Sequence, residues 1–509
     1  MTQPLAATGA LYIQPVPTFD PLSRVLGALA ALLGVVTAWG YASAGLSLSH
    51  YDAKAHLVVA RRILDSITPA WEQIGAVWLP LPHVLNAIPV QIDFMYRTGA
   101  SAIAISIASF AVTVACLSAL VVRLTGSGAA AVLTAALFAI NPNVLYLQST
   151  PMTEPLLFAL SALVVLHLTD WALSAAVAVP RAAGWTIVAA CLTRYEAWPI
   201  VGSAMVLAAW VKWRRGLAFV DVSSAILRLA TYPAATVVGF MIMSWITIGE
   251  WFVTGGFYVP DPELQGRPLA VADAIMDGMT DLGGARLVLL SKIAVGALLI
   301  GALWRRSSSS LVMPIALFAS AALPFYAFVS GHPFRIRYEV PLVLGAAACI
   351  GAATGLLRRA APIAAVAIVG LVMIQALPFD RDAPMIVEAQ LDRANSEGRR
   401  AVTRCLARAY DGTTIMVSMG ALAHYMQELS LEGFGIEDFL HEGNGPTWEL
   451  AVSYGPAPFA GWALIEEAAE GGDTLSQRVK ANPRWLNGME RVCEGGNVAL
   501  YRRIANSSS

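Results

Sequence analysis

The chain has 509 residues, of which 57% are hydrophobic and only 13% are charged, and its formal net charge is −1. Soluble globular domains carry about 25% charged residues, so the composition excludes an ordinary soluble protein and indicates a polytopic membrane protein. The near-neutral charge gives no reason to expect a nucleic-acid partner. Because the apolar runs are long and not alternating, we expect them to cross the membrane as helices rather than as barrel strands.

Residues 1–22 are polar and show no cleavable signal peptide, and apolar segments then follow one another to residue 378. The segment 184–211 is long for one span, short for two, and interrupted by "TRYEAWP". We therefore predict two short helices that meet at Arg194–Glu196, and about eleven transmembrane helices in all. The other predicted segments are 24–46, 99–122, 128–147, 154–178, 229–249, 285–303, 311–329, 338–357 and 361–378.

The positions of the cations predict the orientation of these helices, since Lys and Arg favour the cytoplasmic ends of spans. With a cytoplasmic N-terminus in the inner or plasma membrane, every short inner loop carries a cation. These cations are Arg24, Arg123, Arg181, Lys212, Arg214, Arg215, Arg228, Arg305, Arg306, Arg358 and Arg359. The outer side then holds the connections 47–98, 141–155, 250–284 and 330–341, together with the C-terminal region.

The composition becomes polar after the last apolar segment, which predicts two domains. We expect a transmembrane catalytic domain, 1–378, and an extracytoplasmic soluble α/β domain, 379–509. In the second domain "TTIMVSM", "GWALIEE", "ERVCEG" and "NVALYRR" predict strands, and the final "NSSS" predicts a frayed terminus. If this domain is extracytoplasmic, Cys405 and Cys493 could form a disulfide, whereas the three cysteines within apolar runs are expected to be buried.

The first outer loop, 47–98, begins with "SHYDAKAHLVVARR", which predicts an amphipathic helix lying along the membrane surface. Ser49 and Asp52 fit a capping box, and Asp52 could do no more than cap the helix. A carboxylate held ionised at a helix N-terminus is also suited to act as a general base. His56 lies one turn further on, and is either a residue of the polar face or part of the same site.

Two further motifs place charge beside apolar segments. Glu154 in "STPMTEP" could simply start a helix, but a carboxylate entering a span is costly unless it has a function. Arg194 and Glu196 in "TRYEAWP" are expected to form an ion pair that closes the break between two helices, with a role in the substrate site as the alternative.

The fourth motif is "GHPFRIRYEVP", which contains His332, Arg335, Arg337, Tyr338 and Glu339. Arginines are disfavoured on the outer side, so they require a reason, and guanidinium groups bind phosphate oxygens in a two-pronged manner. The alternative is contact with lipid headgroups or with the neighbouring glutamate. Carboxylates beside a phosphate-binding site suit a reaction between a membrane-anchored phosphate ester and an acceptor hydroxyl.

The sequence resembles the GT-C superfamily of integral-membrane glycosyltransferases, and is similar to bacterial members of the protein-mannosyltransferase and aminoarabinose-transferase type. The resemblance rests on "HYDAKAH", "TPMTEPLL", "LTRYEAW" and "RIRYEVPL", in this order over residues 23–378. It implies a polyprenyl-phosphate sugar donor and a glycan, lipid or protein acceptor at the outer face. It further implies that Asp52 and Glu154 are the catalytic carboxylates, and that Arg337 and Tyr338, with Arg335, bind the donor phosphate.

In one respect the sequence departs from the family pattern. Many relatives have a second acid after the first-loop Asp, whereas Ala53 and Lys54 follow here. Lys54 could instead supply positive charge near the donor phosphate. Asp52, His56 and Glu154 could provide ligands for Mg²⁺ or Mn²⁺, but two carboxylates and one histidine are too few for us to assign a metal.

Two functional alternatives follow from the sequence. Loop 250–284 is rich in Gly and Pro and could act as a lid over a lipid-donor groove or as a passive connector.

A transporter or lipid-sugar flippase is the rival to a transferase, but it would carry charges along a path across the membrane. Here the candidate residues lie at the outer ends of the helices.

Overall fold

The computed structural model describes residues 19–253, 260–468 and 472–504. Residues 254–259 of the predicted lid loop, most of the polar leading segment and the terminal "NSSS" lie outside the described residues. Among the described residues, seven helices are long and apolar enough to cross a membrane. They are Pro21–Ser43, Ala100–Thr125, Glu154–Leu173, Phe219–Ile248, Ala285–Trp304, Arg306–Val329 and Ile336–Gly355.

The apolar part of the chain is helical throughout. Its helices are α1 Pro21–Ser43, α2 Tyr51–Arg61, α3 Leu81–Ala87, α4 Asp93–Thr98, α5 Ala100–Thr125, α6 Gly128–Ala139, α7 Pro142–Leu147, α8 Glu154–Leu173, α9 Arg181–Cys191, α10 Ala197–Arg214, α11 Phe219–Ile248, α12 Pro268–Gly283, α13 Ala285–Trp304, α14 Ala322–Val329, α15 Val340–Gly355 and α16 Ala361–Met373. A long 3₁₀ stretch, Arg306–Ala321, leads into α14, and a short one, Ile336–Glu339, leads into α15. The predicted apolar segments overlap these helices, but segment 128–147 is divided between α6 and α7. By length and composition, seven of the described helices could cross a membrane, where the sequence predicted about eleven.

The predicted break in the segment 184–211 is confirmed. Helix α9 ends at Cys191 and α10 begins at Ala197, so Arg194 and Glu196 lie in the turn between them. Helix α15 is the most enclosed of the apolar helices, because small side chains let its neighbours approach closely. Gly351 is an example, since a Cβ atom there would collide with the Thr134 side chain of α6.

The C-terminal part contains the helices α17 Pro384–Glu388, α18 Arg393–Ala409, α19 Met419–Leu429, α20 Pro446–Tyr454 and α21 Thr474–Ala481. Its strands are β1 Ile415–Val417, β2 Phe439–Leu440, β3 Trp462–Glu466, β4 Met489–Gly495 and β5 Val498–Arg503. They form one sheet in the order β2-β1-β3-β5-β4. The first three strands run parallel, and β5 runs antiparallel to both β3 and β4.

All four predicted strands are therefore confirmed, and the two-residue β2 is the strand that the sequence pattern did not predict. Cys405 of α18 and Cys493 of β4 form the disulfide that the sequence left open. Cys116, Cys191 and Cys349 are free and buried.

The expectation that α2 keeps a polar face in water is wrong. All residues from Asp52 to Ala60 are buried. Leu57 and Val58 of α2 belong to the same hydrophobic cluster as Ile415 of β1 and Tyr425 of α19. The C-terminal sheet region covers α2, and this cover removes the polar residues of the helix from water.

Candidate active site

The first turn of α2 fixes the direction of the Asp52 side chain. His50 is the N-cap, and its Nδ1 accepts a hydrogen bond from the backbone N–H of Asp52 at 3.1 Å. The hydroxyl of Ser49 donates to the carbonyl oxygen of Leu46 at 2.8 Å. The predicted capping box of Ser49 and Asp52 is therefore wrong, and the Asp52 carboxylate is available for another partner.

That partner is Arg337, which forms a buried ion pair with Asp52. Burial alone would raise the pKa of Asp52, but the positive charge of Arg337 outweighs burial and holds the pKa well below its ordinary value. Arg337 precedes α15, and its guanidinium lies 5.3 Å from the ring centroid of Tyr338. The two ends of the predicted transfer site, base and phosphate-binding arginine, are thus in direct contact.

Arg194 forms the centre of a second ionic cluster. Its Nη1 lies 2.9 Å from Oε1 of Glu154, and its Nη2 lies 2.6 Å from Oε1 of Glu196. Nη1 also donates to the hydroxyl of Thr153 at 2.9 Å. The predicted Arg194–Glu196 pair is confirmed, and Glu154 at the start of α8 is a further partner that the local sequence could not reveal.

His56 lies on the same face of α2 as Asp52, because residues four apart are one helical turn apart. Its Nδ1 is 3.1 Å from Nε2 of His83, and its ring is 4.1 Å from the Trp78 ring, centroid to centroid. Burial, His83 and the two arginines Arg194 and Arg337 hold the pKa of His56 well below its ordinary value, against the opposing effect of Asp52. These interactions bring three of the predicted motifs to one place.

The other predicted residues have partners outside these two ionic clusters. Lys54 is two residues from Asp52 and therefore on the opposite face of α2, where Nζ contacts Glu428 of α19 at 2.5 Å. The Nδ1 of His332 is 2.7 Å from the carbonyl oxygen of Pro333, and its ring is 5.6 Å from that of Tyr338. Arg335 is partly buried, and its charge acts on Tyr51 and on a glutamate, Glu388.

Two acidic residues near the site, Glu388 and Glu339, were not predicted as site residues from the sequence. Glu388 of α17 lies in the C-terminal part, yet its Oε1 is 3.7 Å from Nε2 of His50. Glu339 is fully buried, and neither carboxylate oxygen has a hydrogen-bond partner in the part of the chain that the structure describes. His83 was missed as well, although "WLPLPHVL" places it soon after Trp78. Nothing in the local sequence of Glu388 could have linked it to α2.

Asp52, His56 and Glu154 do not fit a divalent-cation site in this arrangement. Each carboxylate is paired with a different arginine, and a histidine contacts one ring nitrogen of His56. Within the described ranges, no group of three His, Cys, Asp or Glu side chains could hold a metal ion. We assign no metal-dependent step to these residues.

The fold, an apolar helical part followed by a small C-terminal sheet region, is that of ArnT, which confirms the predicted fold class of a helical polytopic membrane protein with a C-terminal α/β region. The chain is similar to ArnT from Cupriavidus metallidurans bound to undecaprenyl phosphate, with a TM-score of 0.59 and 11% identity, over 95% of this chain and 98% of that one. It is also similar to ArnT from the same organism in the apo state, with a TM-score of 0.56 and 13% identity, over 94% and 97% of the two chains. No protein-family model matches the chain, and no curated protein does.

Proposed function

We propose that this protein is an inverting glycosyltransferase. It moves a sugar from a polyprenyl-phosphate-linked donor to an acceptor hydroxyl at the outer face of the membrane. The observation that carries the proposal is the buried contact between Asp52 and Arg337, a base beside a phosphate-binding group. The similarity to ArnT bound to undecaprenyl phosphate supports the class of donor.

In this mechanism Arg337, with Arg335 and Tyr338, binds the donor phosphate. Asp52 takes the proton of the acceptor hydroxyl as the hydroxyl oxygen forms a bond to the anomeric carbon. The bond from that carbon to the phosphate oxygen breaks, and the phosphate leaves with its electron pair, stabilised by Arg337. A single displacement of this kind inverts the anomeric centre, and no general acid is required because phosphate is a good leaving group.

The Glu154–Arg194–Glu196 cluster lies next to this site and adds a second arginine to it. Arg194 lies close enough to Arg337 for their charges to interact. Glu154 and Glu196 neutralise Arg194, and so hold a second guanidinium beside the donor phosphate without an unbalanced positive charge. We assign Glu154 to the catalytic site through this contact.

We further propose the orientation and division of the chain that the sequence predicts. The N-terminus is cytoplasmic and residues 379–509 form an extracytoplasmic domain, while residues 268–283 of loop 250–284 form helix α12. The distribution of arginines supports this orientation, and so does the Cys405–Cys493 disulfide, since disulfides persist outside the reducing cytosol.

A transporter is the rival function. It would place charges deep inside the spans, along a path across the membrane. Asp170, near the end of α8 remote from Glu154, instead pairs with Arg123 at 2.9 Å. Because Asp170 lies in the last turn of α8 and not in its middle, this pair favours a transferase over a transporter.

The test uses the purified full chain in lipid nanodiscs. We expect it to bind undecaprenyl phosphate, and to release undecaprenyl phosphate from at least one of a panel of undecaprenyl-phosphate hexoses and pentoses when cell-envelope extract is added. The sugar should appear covalently attached to an acceptor, and Asp52→Asn should abolish the attachment. Movement of intact sugar-lipid across the membrane without transfer would contradict the proposal and favour the transporter.

A further inference from the structure

His83 sets the protonation pattern of the histidine pair beside Asp52. Its Nδ1 lies 3.2 Å from the carbonyl oxygen of Leu79. A carbonyl oxygen accepts hydrogen bonds and never donates them, so Nδ1 of His83 must carry the proton. Burial lowers the pKa of His83 to about 3, so the ring is neutral and its Nε2 holds a lone pair.

The tautomer of His83 determines the tautomer of His56. Because Nε2 of His83 accepts, the nitrogen that faces it at 3.1 Å, Nδ1 of His56, must donate. Nδ1 of His56 therefore carries the single proton of its neutral ring, and Nε2 of His56 holds a lone pair. A backbone carbonyl thus fixes the tautomer of His56 through an intervening histidine.

The lone pair on Nε2 of His56 receives no hydrogen bond from the part of the chain that the structure describes. The residue is 6% exposed, and its Nε2 has no hydrogen-bond partner among the described residues. Asp52, Arg194 and Arg337 surround the ring closely enough for their charges to act on it. An acceptor that no described group satisfies, in a residue that is otherwise enclosed, is available to a ligand that brings the donor.

The chemistry of that ligand follows from the lone pair. An ionised phosphate has no proton to offer, so the donor phosphate is not the partner of Nε2. A sugar hydroxyl is a neutral donor of the right kind, and both substrates of a glycosyl transfer carry such groups. We infer that His56 is a substrate-binding residue whose Nε2 accepts a hydrogen bond from a sugar hydroxyl next to Asp52. This inference rests on the proposed function.

Two replacements of His56 separate this role from packing. His56→Asn keeps an N–H donor near the position of Nδ1 but has no atom at the position of Nε2. His56→Gln can place an amide oxygen near the position of Nε2 but loses the contact with His83. We expect His56→Asn to lower kcat/KM for the hydroxyl-bearing substrate about tenfold, and His56→Gln to lower it less.

Undecaprenyl phosphate alone is the internal control, because it carries no sugar. Its affinity should be the same in His56→Asn and in the wild type. Weaker binding of sugar-loaded undecaprenyl phosphate would identify the hydroxyl as that of the donor sugar. Unchanged donor binding with a raised KM for the acceptor would identify it as that of the acceptor.

A larger loss of kcat/KM in His56→Gln than in His56→Asn would overturn the inference. If His56→Asn transfers sugar like the wild type, while His56→Gln loses thermal stability, His56 only packs against His83. His441→Asn, which alters a buried histidine of the C-terminal part, should leave all sugar-dependent readouts unchanged.

A measurement independent of turnover tests the same inference. With ¹⁵N-labelled histidine, the His56 signals should show a protonated Nδ1 and an unprotonated Nε2, and they should vanish in His56→Asn. A protonated Nε2 would overturn the inference whatever the transfer assay gives. A wild type that neither binds undecaprenyl phosphate nor consumes any donor would instead refute the proposed function, and leave this readout to decide about His56.

Discussion

Asp52 lies in the first turn of a helix, where a carboxylate often caps the backbone N–H groups, yet its carboxylate contacts Arg337 instead. The imidazole of His50 takes the capping role, and Arg337 neutralises the carboxylate. In the proposed mechanism, Asp52 is a weak base as long as this pair is closed, and it competes with phosphate for Arg337. Binding of the donor phosphate to Arg337 would release Asp52 and raise its basicity when the acceptor arrives.

The first prediction concerns this competition. Asp52→Asn should bind undecaprenyl phosphate more tightly than the wild type, by about tenfold or about 1.4 kcal/mol, because the competing carboxylate charge is gone. The measurement is titration of the purified protein with the lipid. Asp65→Asn, which alters an ion pair with Arg61 near the end of the same helix, should leave the affinity unchanged. Weaker binding by Asp52→Asn would show that Asp52 does not compete with phosphate.

The second prediction concerns Arg194, which neutralises two buried carboxylates. Arg194→Gln leaves Glu154 and Glu196 together without a cation, which should cost about 3 kcal/mol of stability and lower Tm clearly. Arg393→Gln is the matched control, because the Arg393–Glu397 pair is exposed and contributes little. The check is thermal unfolding of both variants in the same detergent. Equal Tm values would mean that the Glu154 cluster adds nothing to the fold.

At the scale of elements, α2 is held between the apolar helices and the C-terminal sheet region. Lys54 on its outer face contacts Glu428 of α19, and Glu428 is shared with Arg399 of α18. Buried charges are stable only with their partners, so these contacts fix the helix that carries Asp52 and His56. Lys54 is thus in contact with the C-terminal part, which differs from the phosphate contact that we considered for it.

The third prediction is a coupling between α2 and α19. Burial would raise the pKa of Glu428, but Lys54 and Arg399 outweigh it and lower the pKa from 4.5 to about 2. Because the pKa of Glu428 is lower in the folded protein, its ionised carboxylate stabilises the fold above pH 4.5. This contribution to the free energy of unfolding is lost as the pH falls towards about 2. The difference in Tm between the wild type and Glu428→Gln should therefore be large at neutral pH and shrink over this range.

The same pair can be tested without a change of pH. Lys54→Met and Glu428→Gln should each lower Tm, and the double variant should lose less than the sum, with a coupling of about 1 kcal/mol. Additive losses would show that the contact between Lys54 and Glu428 contributes nothing to the position of α2.

For the whole molecule, the sheet region and the first outer loop share one hydrophobic cluster, so they must lie on the same side of the membrane. The Cys405–Cys493 disulfide ties α18 to β4 within this region. The remaining cysteines are buried, and the native protein should therefore react slowly with maleimides. This property makes the orientation of the chain simple to measure.

The fourth prediction is that orientation. In intact cells a membrane-impermeant maleimide should label Ser453→Cys, an exposed position in α20. It should label Ser307→Cys, an exposed position after α13, only when the membrane is permeabilised. The unsubstituted protein is the control for background labelling. The reverse pattern would place the site on the cytoplasmic side and exclude an outer-face transferase.

The sequence by itself determined the features that depend on local pattern. Apolar runs predicted the helices, the "TRYEAWP" interruption predicted the break between α9 and α10, and short runs within the polar C-terminal region predicted four strands. The Arg194–Glu196 pair could also be predicted, because its members are two residues apart. These features follow from interactions that span a few residues, which one sequence is sufficient to show.

Only the tertiary structure decided which distant groups meet. Asp52 pairs with Arg337, His56 with His83, and Lys54 with Glu428, and no periodicity links the members of these pairs. The burial of α2 was also beyond the sequence, since the polar face of an amphipathic helix looks the same whether water or another part of the protein covers it. Long-range ion pairs form because burial makes each unpaired charge costly, and the choice of partner belongs to the fold as a whole.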